Sequence, residues 1–366
     1  MTTGELFPPA IASSLRDGRQ LPAHFYTDPS IYELEKTRIL QRSWQFVARL
    51  EQLRETGSFV TAQLGDVPVV VVRDAEGRLR CHVNVCLHRL HPVAQGTGCS
   101  KQLQCSYHGW TYSLDGSLRA VPHARCDPGF STAGLRLDEV NVGVCGDLVF
   151  ANADPAAAPL SAILGAAEDE VARFSRLITG WKPNGTFTYD VAGNWKLFME
   201  NSLECYHCDL VHRDSLAQAF NTSQRHYQTT ESGPVLTQHA PVRTAPSAEV
   251  RLPENLEGFR FLYVWPLTSF SVDDYVAAIA RLTPTGPRSC RFVVDTLAHP
   301  DAPPQAVEEW VAMYDRTFNE DKAVVAAQQA GYDSGRVSAG RILAPAEPAI
   351  RMFQRRTFAA LAGQQA

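Results

Sequence analysis

The chain has 366 residues, 45% hydrophobic and 20% charged, with a formal net charge of -5. That length supports about two domains with sizeable cores, and the acidic surplus speaks against a nucleic-acid binder, which presents a basic face. The nine cysteines are odd in number, and the opening MTTGELFPPAIASS has no basic start followed by an apolar core. The reading is a reduced, cytoplasmic protein without a signal peptide or a disulfide framework. Apolar runs such as Val67 to Val72 and Tyr275 to Ala280 are too short to span a bilayer.

Asp28-Pro29 opens a helix, with Asp as cap and Pro at the first position, and Ile31, Leu34, Ile39 and Trp44 supply apolar side chains. From Gly57 the pattern changes to short β runs. Val67 to Arg73 reads as a buried strand, Asp74 to Gly77 as a turn, and Leu79 to Val85 as the next strand. Cys86-Leu87-His88 follows, then, after sixteen residues, Cys105-Ser106-Tyr107-His108. A zinc site of four such ligands usually groups Cys with Cys and His with His. Here each arm carries one of each, which suits a [2Fe-2S] centre with both Cys on one iron and both His on the other. Both arms are expected on loops between strands. Residues 45–155 form one small β domain, the Ala/Pro-rich stretch 153–159 is its exit linker, and residues 1–44 are an N-terminal segment packing on the second domain.

The second domain, 160–366, reads as α+β. Gly185 to Val191 and Arg291 to Leu297 are strand candidates, and Phe259, Phe261, Tyr263 and Trp265 alternate on one face of another. One helix runs from about Pro304 to Gln329. A second starts near Glu347-Pro348 with Ile350, Phe353, Thr357 and Leu361 on one side. Between the first strand and the aromatic strand, the segment from Asn194 to His212 offers Glu204, His207 and His212. Two His and a carboxylate on one face of a metal leave positions open for O2 and substrate at an Fe(II) centre. His207 and His212 lie five residues apart, about 140° from overlap on a helix, so the helix must end or distort between them. Cys205-x-x-Cys208 sits inside this segment. Cys205 and Cys208, like Cys81, Cys99, Cys126, Cys145 and Cys290, are taken as small buried thiols. His24, His82, His123, His226, His239 and His299 receive no role beyond possible pocket walls.

The string Cys105-Ser106-Tyr107-His108-Gly109-Trp110-Thr111-Tyr112 with Asp115-Gly116, and the later Asn194-Trp195-Lys196 with Glu200-Asn201, Glu204, His207 and His212, resemble Rieske non-heme iron oxygenases, specifically the terminal oxygenase α subunit. The resemblance implies an α+β fold, a small all-β Rieske domain followed by a helix-grip catalytic domain. It makes Cys86, His88, Cys105 and His108 the cluster ligands, with Trp110 shielding the cluster. It makes His207 and His212 ligands of a mononuclear Fe(II), and casts Glu204 as a bridge to a Rieske His of the neighbouring subunit. Asn201 and Glu204 become the catalytic residues that are not ligands. The third iron ligand in this family is a carboxylate from a late helix. Here Val307, Val311, Tyr314, Phe318 and Val325 form a helical stripe with Asp321 at its edge and Glu320 almost opposite. A carboxylate facing a core must be paired, protonated or metal-bound, so Asp321 is the expected third ligand and Glu320 is expected in solvent. The family usually has a small residue where Leu90 stands, so the first cluster loop is expected to differ in shape. His91 is expected beside the cluster or at the surface rather than as a ligand.

The resemblance also implies O2 as cosubstrate, electrons from NAD(P)H through a reductase (with or without a ferredoxin), and a head-to-tail homotrimer. The Glu-Cys-Tyr-His-Cys form at 204–208 is similar to the branch that oxidises carnitine, glycine betaine and related N-methyl compounds. Hydroxylation or oxidative demethylation of a small molecule is the favoured reading, with aromatic-ring dioxygenation as the alternative. The Phe259–Trp265 face is read as packing between sheet and helix, with a cation–π box as the functional option. Two other classes, a Rieske electron carrier and a zinc-stabilised binding module, are separated from an oxygenase by iron content: about three irons per chain against two or none.

Overall fold

The computed structural model describes residues 7–243, 258–343 and 346–364 and falls into two units: Leu40–Glu168, and the residues before and after it together. Residues 1–6 of the N-terminal segment lie outside the described residues. No helix among the described residues is long and apolar enough to cross a membrane.

The first unit holds β1 Gln45–Arg49, β2 Ser58–Leu64, β3 Val67–Arg73, β4 Leu79–Val83, β5 Thr97–Cys99, β6 Leu103–Gln104, β7 Thr111–Tyr112, β8 Leu118–Ala120, β9 Glu139–Cys145 and β10 Leu148–Asn152. Seven of these form an antiparallel sheet in the order β1-β10-β9-β4-β3-β2-β5, and β6-β7-β8 make a small second sheet. The uninterrupted valines of β3 have a physical explanation. Val69 and Val71 point into one core with Leu53 and Val149, while Val70 points into another with Cys86, Leu103, Cys105 and Tyr112. A strand buried on both faces needs apolar side chains at every position. The Ala/Pro linker at 153–159 does not end this unit, contrary to the sequence expectation. Trp44 Nε1 donates to Ala158 O at 3.0 Å, and Cys145 Sγ lies 3.4 Å from Glu168 O. Leu160 sits on Gly143, where any added Cβ would meet Leu160 Cβ at 2.8 Å.

The second unit contains helices α1 Pro9–Arg16, α2 Pro29–Glu35, α3 Trp195–Ser202, α4 Cys208–Val211, α5 Pro304–Asp333 and α6 Pro348–Leu361. Its strands are β11 Lys182–Val191, β12 Gln228–Ser232, β13 Val235–Pro241, β14 Gly258–Val264, β15 Thr268–Val272, β16 Val276–Gly286 and β17 Ser289–Ala298. They form one antiparallel sheet, β11-β17-β16-β15-β14-β13-β12. The expected cap at α2 is present, with the Asp28 side chain accepting from Ser30 N at 2.8 Å. The sheet grips α5, whose Val307 and Tyr314 pack with Phe259, Tyr275 and Val276. Its buried face continues through Thr317, Asp321, Val325 and Gln329 at helical spacing.

Helix α3 is fixed by a buried polar network. Asn194 caps it, accepting from Lys196 N at 3.0 Å, and Asn194 N donates to Gln329 Oε1 of α5 at 2.8 Å. Gly193 permits that approach, because a Cβ there would lie 2.6 Å from Val325 Cγ1. Glu35 pairs with Lys196 Nζ and accepts from Trp195 Nε1, while Tyr26 OH donates to Glu200 Oε1 at 2.7 Å. The Asn-Trp-Lys and Glu200 positions therefore anchor the helix from which the site is built.

Candidate metal centres

The two Cys/His arms form loops of the same design. Cys86 N donates to His91 O at 2.8 Å and Leu90 N to Cys86 O at 3.0 Å; Cys105 N donates to Trp110 O and Gly109 N to Cys105 O, both at 2.9 Å. The fourth residue after each Cys has positive φ, Gly109 at 73° and Leu90 at 57°. Leu90 thus takes the backbone position that Gly109 takes in the second loop. It adopts the left-handed conformation at a cost of about 1–2 kcal/mol, with its side chain 74% exposed.

The loops bring the four candidate ligands together. Cys86 and Cys105 are buried, His88 and His108 are exposed, and the two imidazole centroids are 4.6 Å apart. Trp110 stacks on His88 at 5.0 Å with an interplanar angle of 5°. Tyr112 OH donates to Cys86 Sγ at 3.3 Å and accepts from Leu87 N at 2.9 Å. Burial, with the neighbouring Cys86 sulfur adding to it, pushes the Cys105 thiol pKa up against hydrogen bonds from the Tyr107 and His108 backbone. Two adjacent buried sulfurs resist carrying negative charge alone, and bound iron relieves that. His91 stands beside the pair, Nδ1 3.7 Å from Cys105 Sγ and 2.8 Å from Pro92 O.

In the second unit, α3 ends at Ser202 and the single turn of α4 runs from Cys208 to Val211, so the helix ends just before His212, whose φ of -101° and ψ of 27° are no longer helical. His207 and His212 flank the single turn of α4. Their Nε2 atoms lie 3.1 Å apart, and Asp321 Oδ1 of α5 lies 3.5 Å from the first and 3.1 Å from the second. Two donors at right angles about a metal at about 2.1 Å are separated by roughly 3.0 Å, so the triangle fits one face of an octahedron. Each donor is oriented from behind. His207 Nδ1 bonds Glu204 Oε1, His212 Nδ1 bonds Glu320 Oε2 at 2.8 Å, and Asn201 Nδ2 donates to Asp321 Oδ1 at 2.6 Å. Burial opposes charge on His207, but Asp321 and Glu204 outweigh it and lift its pKa to about 10. Burial also opposes charge on Asp321, yet both imidazoles hold its pKa down to about 2. Three carboxylates around two imidazoles call for a cation at the centre of the triangle.

Two expectations fail here. Glu320 is not in solvent: its side chain is 25% exposed, and Oε2 also accepts from Ser215 Oγ at 2.6 Å. The turn of α4 carries His212 back to that side of α5, which helical spacing within α5 cannot reveal. Cys205 and Cys208 are not separate thiols but a disulfide, their Cα atoms 4.9 Å apart across the turn. Cys208 Sγ lies within 4.8 Å of the imidazole nitrogens, but its sulfur is tied to Cys205, so Asp321 is the better third donor.

A cavity of about 670 Å³, counted with its mouth, opens on this triangle. Phe259, Phe261, Phe292, Tyr227, Tyr314 and Phe318 form much of its wall, and Ser269, Ser271, Ala278 and Ala280 line it from the neighbouring strands β15 and β16. The alternating aromatic face divides. Phe259 and Phe261 reach the cavity, while Tyr263 packs on Phe353 of α6 and donates to Pro266 O at 2.9 Å. Trp265 lies beyond the end of β14. None of His24, His82, His123, His226, His239 or His299 lies in the cavity wall among the described residues.

A β unit with a paired Cys/His loop site and an antiparallel sheet gripping a helix with a two-His, one-carboxylate site define the Rieske non-heme iron oxygenases. The chain belongs to that family: the ring-hydroxylating α-subunit catalytic domain matches residues 178–363 and the Rieske [2Fe-2S] domain residues 43–139. It is a terminal oxygenase α subunit, an enzyme whose cofactors are a Rieske [2Fe-2S] cluster and a mononuclear iron. Among its relatives, chloroplastic choline monooxygenase of Atriplex hortensis is 28% identical over 91% of this chain and 76% of its own length. The carnitine monooxygenase oxygenase subunit of Escherichia coli (strain K12) is 31% identical over 57% of this chain and 56% of its own. The quaternary ammonium Rieske monooxygenase CntA in complex with L-carnitine superposes with a TM-score of 0.81 at 24% identity, covering 93% of this chain and 95% of that one. Naphthalene 1,2-dioxygenase from Rhodococcus sp. gives 0.79 at 20% identity, covering 98% of each.

Proposed function

We propose that this oxygenase hydroxylates or oxidatively demethylates a small N-methylated ammonium compound at an iron held by His207, His212 and Asp321. The observation that carries this is the 3.1–3.5 Å triangle of Nε2, Nε2 and Oδ1 set in the wall of an aromatic cavity. Iron bound there would supply O2 activation, with the Rieske cluster as its source of electrons. The chain's own groups prepare for it. Glu204 and Glu320 hold the Nδ1 protons of the two imidazoles, which leaves each Nε2 lone pair free to bind metal. Asn201 fixes the Asp321 carboxylate. The rings of Phe259, Phe261 and Tyr227 offer negative faces to a quaternary ammonium group and exclude water around its methyls. Choline and carnitine are the substrates named for relatives of this chain. An uncharged aromatic substrate is the competing reading, suited by the same walls.

In the first unit, Cys86 and Cys105 hold one iron of the cluster and His88 and His108 the other. Glu204 carries electron transfer onward, from a Rieske His of a neighbouring copy to His207. Exposed apolar side chains support a homotrimer that joins the two centres between copies. Leu87, Leu90 and Tyr107 surround the exposed imidazoles, and Tyr206 and Leu210 flank His207 on the other unit. Electrons come from NAD(P)H through a separate reductase, and the protein works in the cytoplasm. The test is a screen of the purified, iron-loaded protein with a surrogate reductase, NADH and O2, reading products by mass. Choline, carnitine, glycine betaine and indole form the panel. Turnover of indole with none of the ammonium compounds oxidised would sink the N-methyl assignment.

A further inference from the structure

Away from both metal centres, an open concavity of about 790 Å³ lies between α6 and the edge strand β12. Arg351, Arg355 and Arg356 line it, with Glu231, and Pro348 and Met352 contribute an apolar side. Arg351 and Arg356 are each anchored at one end. Their NH2 groups donate to Arg16 O at 3.0 Å and Gly233 O at 2.5 Å. Their Nε atoms are buried and have no hydrogen-bond partner among the described residues. Burial lowers the pKa of Arg356 against the pull of Glu231. Arg355 is exposed. Three guanidiniums against one carboxylate leave two positive charges facing one concavity, and none of the three is ion-paired with a carboxylate among the described residues.

The buried Nε atoms lie out of reach of any ligand, but three guanidiniums lining one concavity offer other donors that an anion with several acceptor oxygens can take up. We propose that this concavity binds the phosphoryl group of a small phosphomonoester. A phosphoryl dianion matches the surplus of two charges, and its three acceptor oxygens can each receive a donor from a separate guanidinium, where a planar carboxylate offers two oxygens. Pro348 and Met352 then seat the organic part of the ester.

The test is calorimetric titration of the full, metal-loaded protein at constant ionic strength with inorganic phosphate, phenyl phosphate and hexaglutamate. Phenyl phosphate should bind, and more tightly than inorganic phosphate. Arg355→Gln should weaken it by about tenfold or more, as expected for one charge-assisted contact, with cluster absorbance unchanged. Arg351→Gln with Arg356→Gln should abolish binding, and Arg355→Gln keeps the test valid if that double variant fails to fold. No phosphate binding, tighter binding of hexaglutamate, or a loss of the subunit assembly in Arg355→Gln would overturn the assignment.

Discussion

Replacing Glu320 by Ala tests the mononuclear site at its least expected member. The change removes the acceptor that His212 Nδ1 meets at 2.8 Å and Ser215 Oγ at 2.6 Å. With that acceptor present, the ring proton stays on Nδ1 and the Nε2 lone pair faces Asp321 Oδ1 at 3.1 Å. Without it the proton is free to move to Nε2, which closes the ligand position. The His212 side chain is 2% exposed, so solvent is a poor substitute for the carboxylate. Hydrogen-bond partners of this kind are worth about 10–100-fold in metal affinity, or about 1.4–2.7 kcal/mol. That range agrees with about 1.5–3 kcal/mol for a hydrogen bond to a charged group. Fe(II) affinity is measured by competition with a chelator, and the visible absorbance of the cluster serves as an internal control. Glu320→Gln keeps a carbonyl oxygen for His212 and should fall between wild type and Ala. An iron affinity for Glu320→Ala within about threefold of wild type, below the expected range, would refute the reasoning.

Asp321→Ala should lose the mononuclear iron and keep the cluster's colour; unchanged iron content would remove Asp321 from the site. Glu204→Gln should retain both metals yet stall with a reduced cluster in single-turnover experiments, and full activity would discard the bridge. Glu35→Gln leaves Lys196 charged in a site where both partners are 0% exposed, at a cost of about 3–5 kcal/mol. Adding Lys196→Met should recover most of that in denaturant midpoints. Burial alone would raise the Asp74 pKa, but hydrogen bonds from Arg80 and Arg78 bring it to about 2. A lowered folded-state pKa stabilises above the unfolded value of about 3.9 and is lost as pH falls toward the folded one. Asp74→Asn should therefore be less stable by about 2 kcal/mol at neutral pH, and the gap should close between about pH 4 and 2 in acid titrations followed by circular dichroism.

Much of the candidate site was legible because it is local. The Cys/His arms and the His207/His212 spacing place ligand types at short separations, and a thiolate or imidazole at such a spacing has few other uses. The helix end between His207 and His212 was legible for the same reason, since residues five apart cannot face one point on a regular helix. Strand β3 announces itself by composition, and strand β14 and helices α5 and α6 by period. The Asn-Trp-Lys motif was visible as a string, but its work of binding Glu35, Gln329 and Pro287 O across the fold was not.

The sequence by itself determined which atoms could hold iron, because coordination chemistry restricts the residue types and the turn restricts their spacing. Only the tertiary structure decided what stands behind those atoms. Glu320 and Asp321 are chain neighbours about 100° apart on α5, yet both reach the same imidazole, because α4 crosses close to that helix and presents His212 between them. The division of the aromatic face at Tyr263 and the meeting of three arginines with β12 share that origin. Each depends on which surface packs opposite, and no local pattern of residues encodes a partner so far along the chain.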